Sequence, residues 1–185
     1  MTDPDFNALL DDYRGLESRV GVLMQGICTP FCSVCPTPCC RTAICREAEE
    51  SPFLRAVHGG RQGFDSKLGY LGPRGCKLGN GRPPICHAFI CGRILSRQSG
   101  DQRRFALEVL GDLVGWLGKK VWLNRHLVEA ITAPDLRESN LGLFRKRLTT
   151  GAAVLAVLED YFAGDRELDA AELRQLARIK KPLPA

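Results

Sequence analysis

The sequence predicts a mainly α fold, with an irregular cysteine-rich loop region packed on a helical domain. Three observations lead there. Apolar residues recur at helical spacing towards both ends of the chain, glycine and proline crowd its middle, and there is little of the two-residue alternation of a strand. All nine cysteines of the 185-residue chain fall in that middle, between residues 28 and 91.

Residues 1–27 read as one amphipathic helix. Asp3 is placed to cap it and Pro4 suits the first helical position; Phe6, Leu9, Leu10, Tyr13, Leu16, Val20, Leu23, Met24 and Ile27 then form an apolar stripe. Residues 28–100 form the cysteine region. From Cys28 to about Cys45, prolines and cysteines at nearly every turn predict a loop, followed by short helices at Thr42–Glu50 and Pro52–His58. Gly59 to Pro84 reads as glycine-rich loop, with turns at Gly59-Gly60, Gly72-Pro73, Gly75 and Gly79-Asn80-Gly81.

Residues 101–185 read as a helical region. Asp101 is expected to cap a helix carrying Phe105, Val109, Leu110, Leu113, Trp116 and Leu117. A second is expected over Val121–Ile131 and a third after Pro134, through Leu136, Leu141, Leu143, Phe144 and Leu148. A fourth holds Val154, Leu155, Leu158, Tyr161 and Phe162, and a last runs from Asp169 past Ile179 to a stop at Pro182. Trp116, Trp122, Phe105 and Phe144 sit at core spacings and are read as packing.

Cysteine is normally a rare, buried, apolar residue, so this density needs a chemical reason: disulfides, metal or redox chemistry. The first residues, Met1 to Asn7, have neither the basic nor the apolar character of a secretion signal, and an odd count leaves a thiol over. We therefore expect a cytoplasmic protein with reduced thiols. The longest apolar run tested, Ala152–Leu158, is far too short for a bilayer, so no membrane association is expected. Metal is the better reading. Zinc sites and iron–sulfur clusters both want four converging thiolates, commonly given as close pairs with distant partners. Adjacent Cys39 and Cys40 have diverging side chains and rarely serve one ion together; they could serve two sites, bridge, or leave one thiol free. The count suffices for two four-cysteine sites, and one is the safer number.

The formal net charge is +5. Arg61, Lys67, Arg74, Lys77, Arg82, Arg93, Arg97, Arg103 and Arg104 face only Asp65 and Asp101 in the same span. Nucleic acid would exploit such a run. A solvated face, or neutralisation of an anionic thiolate centre, is preferred to it.

Two segments carry a family resemblance. Cys32-x2-Cys35-x3-Cys39-Cys40 is followed by Gly75-Cys76-x5-Arg82-Pro83-x2-Cys86-x2-Phe89-x-Cys91. The combination resembles the YkgJ-like cysteine-cluster family, described as a zinc- or iron-chelating CxxCxxCC domain; flagellin lysine methylases carry a related arrangement. The likeness spans roughly Cys28 to Cys91. Pro36-Thr37-Pro38 supplies three residues before the double cysteine where the family has two. Lys67 or Leu68 stands before Gly69-Tyr70-Leu71, where the family often has a cysteine, and His87 stands where arginine is common. Cys28 and Cys45 are candidates to supply what these departures remove. The resemblance implies a bound iron–sulfur cluster or zinc.

The candidate metal ligands are Cys28, Cys32, Cys35, Cys39, Cys40, Cys76, Cys86 and Cys91, with Cys45 and His87 left open. Arg82 is a candidate cofactor-binding residue, able to hydrogen-bond sulfur or a carboxylate. Cys28-x3-Cys32-x2-Cys35 also has the spacing of radical S-adenosylmethionine enzymes, but the chain lacks the length and strand–helix alternation of their barrel. His58 reads as a helix end, His87 as a residue tuning the site from outside it, and His126 as an ordinary helix residue. Asp165 to Glu172 misses the oxygen ligand and glycine of a calcium loop; Asp169 and Glu172 read instead as a helix capping pair.

The function expected is a metal-binding protein holding an iron–sulfur cluster, of the four-iron four-sulfur kind, or zinc, through thiolates, in electron transfer or metal handling with an unidentified protein or redox partner. The alternatives are a protein-modifying enzyme related to flagellin lysine methylases, or a zinc-stabilised module binding nucleic acid or protein.

Overall fold

The computed structural model describes residues 4–36, 39–60, 63–72, 75–130, 132–164 and 166–181. The expected cap at Asp3, the turn at Pro73, the helix end at Ile131, the stop at Pro182, and Thr37, Pro38, Arg61, Arg74 and Asp165 lie outside these residues. Among the described residues the chain is mainly helical, and no helix is long and apolar enough to cross a membrane.

Helix α1 (Pro4–Cys32) buries Phe6, Leu9, Leu10, Tyr13, Leu16 and Val20. It runs past its expected end at Ile27, straight through Pro30. A proline removes one intrahelical bond, which a helix already long can absorb at an exposed last turn, since adding a turn to an existing helix is far easier than nucleating one. The loop expected from Cys28 therefore starts only after Cys32. Helices α2 (Thr42–Glu50) and α3 (Pro52–His58) fall where the sequence places them. Ser51 caps α3 by accepting from Leu54 N at 3.3 Å, and Gly59, at φ 67°, ends it.

The glycine-rich loop contains a small antiparallel hairpin that periodicity does not reveal: β1 (Leu71–Gly72) and β2 (Gly75–Cys76), with Leu71 opposite Cys76. Two short helices follow, α4 (Pro84–Ala88) and α5 (Gly92–Leu95). The N-cap position of helix α6 (Gly100–Gly118) falls at Ser99, not Asp101, and the Ser99 side chain makes no capping bond. Asp101 lies in the first turn, where its charge suits the helix dipole and pairs with Arg104.

Among the described residues of Val121–Ile131 no long helix forms. Lys120, Leu123 and Asn124 have φ of 60°, 41° and 64°, a left-handed backbone that breaks a right-handed helix. Only a 3-10 turn, Leu127–Glu129, remains. Helix α7 (Ala133–Arg137) is short, and α8 (Leu141–Ala163) joins two expected helices into one. Asn140 caps α8 by accepting from Leu143 N at 2.9 Å. Gly151, inside α8, is buried where a Cβ would stand 2.8 Å from Leu117 Cδ2, so it admits α6 rather than ending the helix. Asp169 caps α9 (Ala170–Leu176) as expected: its Oδ1 accepts from Glu172 N at 2.8 Å, while Glu172 accepts from Asp169 N at 2.9 Å.

The core lies where α1, α6 and α8 meet, with α4 laid across α6 and α9 against α8. Leu107, Leu110, Leu113 and Leu117 of α6 are fully buried, each contributing ~1.5–3 kcal/mol by removal from water. Tyr13, Phe53 and Phe144 form an aromatic trio with ring centroids 5.0 to 6.1 Å apart, fixing α3 to α1 and α8. Phe144, Phe105, Trp116 and Trp122 all pack in or against the core.

Candidate metal centre

The cysteines come from six separate parts of the chain. Cys28 and Cys32, four residues apart, share a face on the last turns of α1. Cys35 follows one turn on, its N–H donating to Cys32 O at 3.2 Å. Cys39 and Cys40 precede α2, which carries Cys45; Cys76 ends β2, Cys86 lies in α4, and Cys91 heads α5, which packs on α1. None of the nine is disulfide-bonded.

Mutual charge marks which thiols are neighbours. Burial, then Cys32, Cys91 and Cys39, push the Cys28 thiol up to about 11. Cys32 is raised by burial and by Cys39, Cys91 and Cys35. Cys40 is raised by burial, Cys39, Cys76 and Cys45, with Arg82 opposing. Cys86 is pushed up to about 12 by burial of its thiol, then by Cys45, Cys76 and Cys40, again against Arg82. Cys86 retains exposed surface as a residue. Without a bound cation these thiols keep their protons at neutral pH.

Local contacts explain the placement. Asp65 Oδ1 accepts from Lys67 N and Leu68 N, both at 2.8 Å, and turns the chain back. Thr42 Oγ1 donates to Lys67 O at 2.6 Å and ties that turn to α2. Gly69, at φ 59°, then passes so close that a Cβ would lie 2.7 Å from Cys45 Sγ. Tyr70 Oη donates to Glu49, one turn beyond Cys45 on α2. Helix α4 crosses α6 at Gly111, where a Cβ would stand 3.0 Å from His87 O.

A buried carboxylate organises the approach to Cys86. Glu17 of α1 is fully buried and accepts from Gly81 N at 2.8 Å and Arg82 N at 3.0 Å, with His87 Nε2 at 3.2 Å. Sequence reasoning passed over Glu17, although its place in the stripe between Tyr13, Leu16 and Val20 was a usable signal. Gly111, Gly115 and Gly118, at helical spacing in α6, likewise signalled a close crossing. His87 is thus the partner of Glu17. His58 ends α3 with Nε2 at 3.1 Å from Ala48 O, and His126, expected within a helix, caps the 3-10 turn instead. Arg82 Nε donates to Leu78 O at 2.8 Å, and its charge lies near Cys40 and Cys86.

The donor set suits a thiophilic metal in kind and number. In spacing it is open: among the described residues, no three His, Cys, Asp or Glu side chains stand close enough to hold one metal ion. Several cations of the basic run are engaged locally, Arg104 with Asp101, Arg103 over the Phe162 ring at 5.1 Å, and Arg82 as above. Set against protein-family models, curated proteins and solved structures, the chain matches none.

Proposed function

We propose that this chain is a cytoplasmic metal-binding protein that holds an iron–sulfur cluster of the four-iron four-sulfur kind, or zinc, through cysteine thiolates, and serves electron transfer or metal handling. The observation that carries the reading is that cysteines from distant parts of the sequence, none of them in a disulfide, come near enough for one another's charge to raise the thiols of Cys28, Cys32, Cys40 and Cys86. None of the three histidines is needed as a ligand, because each has another partner.

Four thiolates suit either centre in kind. An iron–sulfur cluster supplies one-electron transfer. The chain's residues do the rest: the thiols give up their protons on binding, and Arg82 offsets negative charge beside Cys40 and Cys86. Cys45 beside Gly69 supplies a thiol next to Lys67 and Leu68, consistent with the family resemblance. Val34, Ile85 and Phe89, each exposed and within two residues of a cysteine, offer a protein partner apolar surface there.

The test is iron, acid-labile sulfide and zinc analysis on protein purified without oxygen, with a visible spectrum. Equal iron and sulfide, with absorption that bleaches on reduction, is the expected result. Stoichiometric zinc without sulfide would make the centre structural, and absence of all three would overturn the reading.

A further inference from the structure

We propose that the cleft between the start of α6 and the end of α8 binds a small phosphate-bearing molecule by its phosphate group. No cysteine lines this cleft, and the proposal does not depend on the metal-binding reading.

The cleft has a volume of about 520 Å³, within the range of small-molecule sites. One side is the N-terminus of α6. A helix leaves its first N–H groups without intrahelical partners, and the Ser99 side chain does not cap them. Among the described residues nothing accepts from the N–H groups of Gly100, Asp101 and Gln102. Gly100, at φ 81°, turns the chain into the helix, and a Cβ there would meet nothing within 4 Å. The backbone therefore stands open to a ligand, at the end of a 19-residue helix whose dipole favours an anion.

Tyr161 of α8 is an independent mark. It is only 5 % exposed, and among the described residues its hydroxyl has no hydrogen-bond partner, yet protein does not enclose that oxygen. Since Tyr161 lines the cleft, the hydroxyl is left facing it. A buried tyrosine ordinarily finds its hydroxyl a partner, and an oxyanion in the cleft supplies the acceptor. Gln102 Oε1 accepts from Leu168 N at 2.9 Å and ties the segment after α8 to α6, fixing the two sides together.

Arg103 adds the charge. Its guanidinium lies over the Phe162 ring at 5.1 Å, and among the described residues no carboxylate pairs with it. Two other lining charges are engaged, Asp101 with Arg104, and Arg166 with Asp160 at 2.6 Å and Glu172 at 2.8 Å. Glu167 is exposed, where water and salt screen it. Three N–H groups, a guanidinium and a hydroxyl outnumber the about four acceptor sites of a carboxylate. The three terminal oxygens of a phosphate suit that donor set better.

The experiment titrates inorganic phosphate, and acetate in parallel, into the full chain and follows amide NMR signals, for wild type, Tyr161→Phe, Arg103→Met, Ser99→Asp and Arg145→Met. Arg145, an exposed cation near the start of α8, is the control for unspecific attraction. Wild type should show saturable shifts centred on Gly100, Asp101 and Gln102, with phosphate bound more tightly than acetate. Tyr161→Phe, which removes no charge, and Arg103→Met should each weaken phosphate about tenfold or more, the worth of one hydrogen bond to a charged group. Ser99→Asp sets a carboxylate at the N-cap and should raise the thermal midpoint while abolishing phosphate binding, which separates loss of binding from loss of fold. Arg145→Met should bind as wild type does. Shifts that never saturate at these amides, or that persist unchanged in Tyr161→Phe and Arg103→Met chains of wild-type helicity, would overturn the site, as would an equal loss in Arg145→Met. Tighter binding of acetate would overturn the assignment to phosphate.

Discussion

Helices α6 and α8 run 19 and 23 residues and bury near-continuous apolar stripes against each other and α1. Among the described residues between Cys32 and Ser99 the longest helix has nine residues and the hairpin strands two each. Isolated helices shorter than ~12–15 residues are marginal in water, so α2 to α5 depend on what they are tied to. Those ties combine a share of the common core, through Ala48, Phe53, Leu54, Val57, Tyr70 and Ile94, with specific polar contacts: Glu17 to Gly81, Arg82 and His87, Tyr70 to Glu49, and Arg14 Nε to Val57 O at 2.8 Å. One region is organised by burial along long helices. The other joins short elements to that core with added point contacts, and in our reading is completed by metal.

The largest expected effect tests the buried region. Leu113→Ala, at a site with no exposed surface, should cost ~2–5 kcal/mol of unfolding free energy, read by urea denaturation. Metal content per folded chain should not change. If metal and stability fell together at sub-denaturing urea, the two regions would be one cooperative unit.

A smaller effect tests the polar ties. Glu17→Gln keeps the shape but weakens a charged acceptor and leaves an amide nitrogen facing donors, at a cost of ~1–3 kcal/mol. Hydrogen exchange should accelerate at residues 81–89 more than in α8. Uniform acceleration across both would remove the distinction drawn between them.

The smallest effects distinguish the regions by pH. In the helical region, His126 Nε2 donates to Gly115 O at 2.7 Å while Nδ1 accepts from Val128 N at 3.2 Å, an arrangement only the neutral ring can make. Burial lowers its pKa. Its contribution is therefore complete above the unfolded value of ~6.5 and is lost as pH falls through the lower folded value. Thermal midpoints measured downward from pH 7 should drop more in wild type than in His126→Asn. In the cysteine region the sign reverses. Thiols raised from 9.0 to about 11 and about 12 at Cys28 and Cys86 favour the metal-free fold below pH 9, and that stability is lost as pH rises through the folded values. Metal-free protein should thus soften in alkali. Bound metal, which wants the thiolate, should suppress that softening.

The same contrast explains what the sequence could and could not say. The mainly α class, the bounds of α2 and α3 and the Asp169–Glu172 cap were legible, because periodicity and capping chemistry are local. The end of α1 was not, since Pro30 reads as a breaker unless the momentum of the preceding helix is weighed. The merger of two helices across Gly151, and the broken backbone at Lys120, Leu123 and Asn124, depend on tertiary packing and positive φ that no pattern announced. At the candidate centre the residue types were legible from density alone. Their placement was not, because the close pass of Gly69 at Cys45 and the Glu17 contacts that hold α4, with Cys86, are tertiary.

The most direct test of the central claim is the mass of the intact chain, purified without oxygen and sprayed from non-denaturing solution, before and after acid unfolding. The account predicts a folded species heavier than the bare chain by bound metal, shifting to the bare mass on unfolding with nine thiols then open to alkylation. A folded species already at the bare mass would contradict it.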